Sequence, residues 1–226
     1  MTTHQPQSRL TTFCDAPADY IIETYFVLRI LIAGGALVLP PALVVWALVD
    51  PRVEMMDSLS AFYYTPARSL FVGILVAIGV ALVAYRGYTR GENLLLNLAG
   101  VLAVVVALFP TADPAMPGAA PTASSVIHAV AAVAFFVLAS LSIFFYGQET
   151  LDSVRDPRVG RRYRVAYRVL VVLVLVFPVL ALVVAWLVES WAVLFAVEAA
   201  ALYAFAAFWL VKTYELARSQ TRLRVV

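Results

Sequence analysis

Apolar residues gather along this chain in long blocks separated by short polar breaks. Blocks of about 17 to 25 residues match the thickness of a hydrocarbon core of roughly 30 Å. They fall at approximately 25–49, 68–85, 93–110, 125–147, 169–188 and 191–213. This pattern predicts an all-α fold, a polytopic membrane bundle of six transmembrane helices spanning 25–214. Residues 1–24 are polar and read as a disordered cytoplasmic tail, and 215–226 as a basic cytoplasmic tail. The first 24 residues hold no short apolar core followed by a small-residue cleavage site, so the first block reads as a span and not a signal peptide.

Within the blocks, small residues mark surfaces where helices can approach closely in lipid. Gly73, Ala77, Ala81 and Ala84 recur at three- and four-residue spacing on helix 2 and predict its packing face. Ala129, Ala131, Ala132 and Ala139 do so on helix 4, and Ala199 to Ala201, Ala204, Ala206 and Ala207 on helix 6. Pro40-Pro41 and Pro178 are expected to bend helices 1 and 5, because proline removes a backbone donor and crowds the preceding turn. There is no convincing internal repeat, so the sequence does not support a transporter of two inverted halves.

Composition agrees with the pattern: 63% of residues are hydrophobic and 13% charged, well away from soluble usage. The distribution of charge says more than the net +2. Arg86 and Arg90 lie between helices 2 and 3, and Arg155, Arg158, Arg161, Arg162, Arg164 and Arg168 between or at the ends of helices 4 and 5. Arg218, Arg222 and Arg224 follow helix 6, whereas the alternate connections carry only Arg52 and Arg68. By the cytoplasmic bias of Lys and Arg, both termini face the cytoplasm. Trp46, Trp186 and Trp191 then fall at outer helix ends, as interfacial aromatics do. The arginine-rich segment suits anionic lipid headgroups at Arg155, Arg158, Arg161, Arg162 and Arg164, although such segments more often fix topology. No soluble domain presents a groove to nucleic acid. Cys14 is the only cysteine, which excludes an internal disulfide.

Two ionisable residues stand out within apolar blocks, where charge is costly and faces protein or a wet cavity. They are His128 in SSVIHAVAA and Glu198 in WAVLFAVEAAALYAF. At 1.5 Å per residue, Glu198 lies about 10 Å and His128 about 5 Å below the outer ends of their helices. The polar stretch SLSAFYYTPARSLFVG enters helix 2 on the same side, bringing Ser58, Ser60, Tyr63, Tyr64 and Arg68 to similar depth. Either Glu198 pairs with His128 or Arg68 to lock three helices together, since an unpaired buried charge is strongly destabilising, or these groups line a pocket. Asp50, Glu54, Asp57, Asp113 and Glu189 form an acidic rim that reads most simply as solvated loop charge. No metal-ligand spacing is present, and one intramembrane histidine cannot supply both ligands of a haem. No cofactor is expected.

The stretches SLSAFYYTPARSLFVGILVAIGVALVAYRGY, NLAGVLAVVVALFPT, IHAVAAVAFFVLASLSIFF and VEAAALYAFAAFWLVK resemble, in order, the bacterial membrane proteins grouped as domain of unknown function 998. That group is similar in size and layout to the six-helix DRAM and Sfk-type proteins. The resemblance covers roughly residues 58 to 213. It carries the family's Ser-Tyr-Tyr-Arg start of helix 2 onto Ser60, Tyr63, Tyr64 and Arg68, its outer histidine onto His128 and its last-helix glutamate onto Glu198. This chain has Ser69 where the family commonly has an acidic residue. The resemblance implies a multi-pass protein of the bacterial cytoplasmic membrane and, through allied groups associated with lipids, a lipid-related role.

Three functions compete. In the first, Ser60, Tyr63, Tyr64, Arg68, His128 and Glu198 form an outer-leaflet pocket for a lipid headgroup or small polar ligand, with Arg68 holding an anionic group. In the second, an intramembrane hydrolase or transferase, Ser60 attacks, His128 acts as base and Glu198 or Asp57 orients it. The third is a non-catalytic scaffold or accessory subunit whose polar residues only pack helices.

Overall fold

The computed structural model describes residues 12–153, 156–187 and 191–223. Each apolar block forms a helix: α1 Thr12–Val49, α2 Arg68–Ala84, α3 Arg90–Leu108, α4 Ala123–Tyr146, α5 Pro157–Leu187 and α6 Trp191–Leu223. Short 3-10 turns occupy Ser60–Tyr64 and Glu149–Ser153, and no strand occurs among the described residues. Five helices are long and apolar enough to cross a membrane, in the segments Glu23–Val49, Arg90–Leu108, Ala123–Leu151, Pro157–Ala181 and Val193–Arg218. The sixth apolar helix, Arg68–Ala84, is shorter at 17 residues.

Three helices overrun the blocks that nucleate them. The first begins at Thr12, so residues 12–24, expected to be a disordered tail, are helical. Elongation adds one hydrogen bond per residue fixed and needs no apolar face once a helix exists, which hydropathy does not register. Helix α5 begins at Pro157 and not near 169, so Arg158, Arg161, Arg162, Arg164 and Arg168 lie on its early turns, all exposed. Its start is encoded locally: Asp156 Oδ1 accepts the N–H of Arg158 at 2.9 Å, and Pro157 has a φ preset for the first helical position. Helix α6 likewise runs past 213 to Leu223. Arg155, Glu189 and Arg224 lie outside the described residues.

The helices close into a ring in chain order, each packing on its sequence neighbours, with α1 returning to pack on α6. Alternate helices run in opposite directions, so residues 50–67 and 109–122 share one end of the ring. Residues 85–89 and 147–153 share the other with the start of α1 and the end of α6; this is the terminal end below. A ring must fill its own centre. Around the terminal half it does so with aromatics: Trp209 stacks edge-on to Tyr85 at 5.1 Å and to Phe208 at 5.5 Å, while Phe205 meets Phe135 at 5.3 Å. All five are buried.

Helices α2 and α3 approach closely where a Cβ on Gly79 would stand 2.6 Å from the carbonyl oxygen of Gly100, and one on Gly100 as close to that of Gly79. The expected packing face of α2 is therefore corrected. Gly73, Ala77 and Ala84 are exposed, and the buried face is Phe71, Leu75, Ile78, Gly79, Ala81 and Leu82. Small residues at helical spacing mark a stripe, but the large side chains one position away decide which stripe faces the protein. On α4 and α6 most of the expected alanines turn inward, with Ala131, Ala139, Ala199, Ala201, Ala204 and Ala206 buried, while Ala129 is exposed. Helix α1 runs through Pro40-Pro41 without a break in assignment.

At the terminal end, α3 opens with Thr89 as its N-cap. Thr89 Oγ1 accepts the Glu92 N–H at 3.2 Å, and Glu92 Oε2 accepts the N–H of Tyr88, the residue before the cap, at 2.7 Å. We expect Gly79→Val to lower the unfolding midpoint in detergent by an amount typical of overpacking, about 1 to 3 kcal/mol. Gly73→Val, at a position with nothing within 4 Å of a new Cβ, should leave it unchanged.

Candidate functional site

Residues 58–67 fold back into the end of the ring opposite the termini. Ser58 Oγ accepts the N–H of Ala61 at 3.0 Å and starts the 3-10 turn, while Thr65 Oγ1 donates to the Phe62 carbonyl at 2.8 Å and closes it. Phe62 anchors the turn, fully buried and edge-on to Phe195 at 6.4 Å. This places Ser58, Leu59 and Ser60 against a central cavity of about 260 Å³.

Every helix lines that cavity: Leu39, Leu75, Val106, Phe136, Pro178 and Leu202 give one wall residue from each. The walls are apolar, and Phe135 and Phe205, part of the aromatic packing, also line it. Among the described residues, its polar lining is Ser58, Ser60, Thr111, His128 and Glu198. His128 Nδ1 faces the carbonyls of Phe109 at 2.8 Å and Val106 at 3.1 Å. Carbonyls only accept, so Nδ1 carries the ring proton. In the neutral ring Nε2 is then the acceptor, and it lies 3.1 Å from Ser60 Oγ. Glu198 Oε2 accepts the Leu59 N–H at 2.7 Å. Helices α4 and α6 are thus each tied to the 58–60 segment, one through imidazole and the other through carboxylate.

The remaining expected site residues lie elsewhere. Arg68 is exposed; its guanidinium donates to the Tyr63 hydroxyl and stands 3.9 Å from that ring's centroid. Tyr64 is exposed and donates to the Thr111 carbonyl at 2.7 Å. Asp57 is exposed. None of these four lines the cavity. With Phe62 holding the core position, the tyrosines after it turn outward, and Arg68 follows them to the surface. The expected pairing of Glu198 with His128 or Arg68 is replaced by separate bonds from Glu198 and His128 to the 58–60 backbone and hydroxyl. On the rim, Arg52 beside Asp50 at 2.7 Å holds the Asp50 carboxyl well below the usual carboxylate range. Among the described residues no group of three His, Cys, Asp or Glu side chains is placed to hold a metal ion.

A second polar centre, unforeseen in the sequence, sits at the terminal end. Lys212 and Glu215 are 2% and 1% exposed, with Nζ and Oε2 3.7 Å apart. Lys212 donates to the Gly147 carbonyl at 2.9 Å and to Thr150 Oγ1 at 2.5 Å. Thr150 in turn donates to Glu215 Oε1 at 2.5 Å, and the Tyr167 hydroxyl donates to Oε2. Arg29 and Glu92 are buried at the same end, Arg29 over the Tyr85 ring at 5.4 Å. The signals were present: Arg29 stands within the block 25–49, and Lys212, the chain's only lysine, precedes Glu215 by one helical turn.

No family model, curated protein or solved structure matches the chain. The geometry is what bears on function.

The Lys212–Glu215 pair fastens α4, α5 and α6. Lys212→Met, which strands the Glu215 carboxylate, should cost about 3 to 5 kcal/mol of stability, the range for removing one partner of a buried pair. The double variant Lys212→Met, Glu215→Gln should recover part of that loss, read by unfolding in mixed micelles.

Proposed function

We propose that the chain is a six-span protein of a bacterial cytoplasmic membrane, with both termini in the cytoplasm, and that its cavity binds an amphiphilic membrane molecule from the outer leaflet. The observation that carries this reading is the cavity's division into apolar walls from all six helices and, among the described residues, polar lining limited to Ser58, Ser60, Thr111, His128 and Glu198. A polar head hydrogen-bonded at that group leaves a chain against Leu75, Phe136 and Leu202. Small-molecule sites have this composition in general: mostly apolar, with a few placed polar groups. The orientation rests on the arginine bias. At the cytoplasmic surface, Arg158, Arg161, Arg162 and Arg164 on α5, with Arg155 just before it in sequence, suit anionic lipid headgroups.

Native mass spectrometry of the purified protein should then show a co-purified lipid. Ala132→Phe, which fills the cavity from α4, should remove the adduct while leaving yield unchanged. A native chain that never carries an adduct counts against the reading.

The 3.1 Å approach of Ser60 Oγ to His128 Nε2 favours a second reading, an intramembrane hydrolase or transferase. The tautomer is the one a general base needs, with the proton on Nδ1 and the lone pair toward the hydroxyl. Two features rank it second: His128 is oriented by carbonyls and not by a carboxylate, and the nearby Leu59 amide is occupied by Glu198 and not free to stabilise an oxyanion. A fluorophosphonate probe should label the native chain at Ser60 and fail on Ser60→Ala if this reading holds. No labelling of an intact native protein removes it.

A further inference from the structure

Charge balance at the cavity narrows the class of ligand. Among the described residues lining it, Glu198 is the one acidic side chain, and no Lys or Arg joins it. The cation that the sequence suggested, Arg68, is at the surface and engaged with Tyr63. Asp57, in the connection that leads to Ser58, carries a further negative charge. The Glu198 carboxylate accepts the Leu59 amide at 2.7 Å. An amide supplies a hydrogen bond but no full countercharge. A carboxylate has about four acceptor sites, so acceptor capacity remains beyond that bond. The neighbouring Ser60 hydroxyl adds a further acceptor.

From this we propose that the cavity selects an amphiphile with a cationic amine head, its ammonium paired with Glu198 and its chain along the apolar walls. This deepens the binding function proposed above and rests on it. An ammonium offers three donors and a positive charge, complementing a site rich in acceptors and lacking a countercharge. An anionic head would set two negative charges together in a low-dielectric space, where repulsion is least screened. A neutral hydroxyl head would bond to Ser60 or Glu198 but leave the charge uncompensated. The apolar walls exclude a small hydrophilic amine, whose hydration they cannot replace.

The test compares decylamine, decanol and decanoate binding to the full chain in nanodiscs, by ligand-induced shift of the unfolding midpoint across a concentration series. Native protein should bind decylamine about tenfold more tightly than decanol, the gain expected when a hydrogen bond becomes charge-assisted, and decanoate more weakly than either. Glu198→Gln should erase the amine preference while decanol still binds, and because partition of amine into the bilayer is the same for both proteins, the comparison isolates the site. Equal affinity for amine and alcohol in the native chain, or an amine preference that survives Glu198→Gln, overturns the proposal and leaves amphiphile binding standing. Binding of none of the three overturns both.

Discussion

A closed ring of six helices cannot avoid a centre, and what fills that centre determines the rest of this structure. Helices packed only on their neighbours leave an axial space that must hold side chains, water or a ligand. Around the terminal half the space is consumed by Trp209, Tyr85, Phe205, Phe208 and Phe135, whose edge-on contacts build a dense aromatic plug. Toward the other end the wall residues are shorter, Ala103, Ala129, Ala132 and Ala201 among them, and a cavity remains. The same alanines that let helices approach thus leave room inside the ring. Because lipid tails are as apolar as the helices, packing and internal hydrogen bonds supply the adhesion that water would otherwise drive.

Irregular backbone is tolerated at such a place only if its polar groups are satisfied within the protein. The 58–67 segment meets that condition with its own side chains and with two brought from distant helices. Ser58 and Thr65 close the 3-10 turn from either side, Glu198 receives the Leu59 amide, and His128 receives Ser60. The two ionisable residues therefore serve the fold and face the cavity at once. A side chain that fixes a cavity lining this way is preorganised, which is what either binding or proton transfer at Ser60 requires.

How much was readable in advance follows from what each signal measures. Hydropathy locates helices because span length is a property of the bilayer: each block is helical and five of the six helices are long and apolar enough to cross, but it missed their polar extensions, where helix continues without an apolar requirement. An ionisable residue in an apolar block marks a protein-facing position, and His128 and Glu198 were visible for that reason. Arg68 was misread because proximity in sequence to Ser60 says nothing about direction: Phe62, Thr65 and Ala67 take the buried positions between them, and Arg68 is left exposed. The packing stripe of α2 was misread because small-residue spacing recurs on more than one face. Lys212 and Glu215 lay at the edge of a block, where sequence alone gives a charge the default of a solvated helix end.

The two polar centres differ in how far their charges are compensated. At the terminal end Lys212 meets Glu215, and Gly147, Thr150 and Tyr167 occupy the remaining donor and acceptor positions of the pair. It is closed to a ligand because every partner is already supplied by the chain, and its effect is to hold α4, α5 and α6 together. At the other end Glu198 has the Leu59 amide for a partner, lines the cavity and meets no cation among the described lining residues. A carboxylate accepts that amide bond more strongly than glutamine would, at the cost of placing charge against apolar walls. The amine head proposed above would supply the countercharge that the described lining lacks.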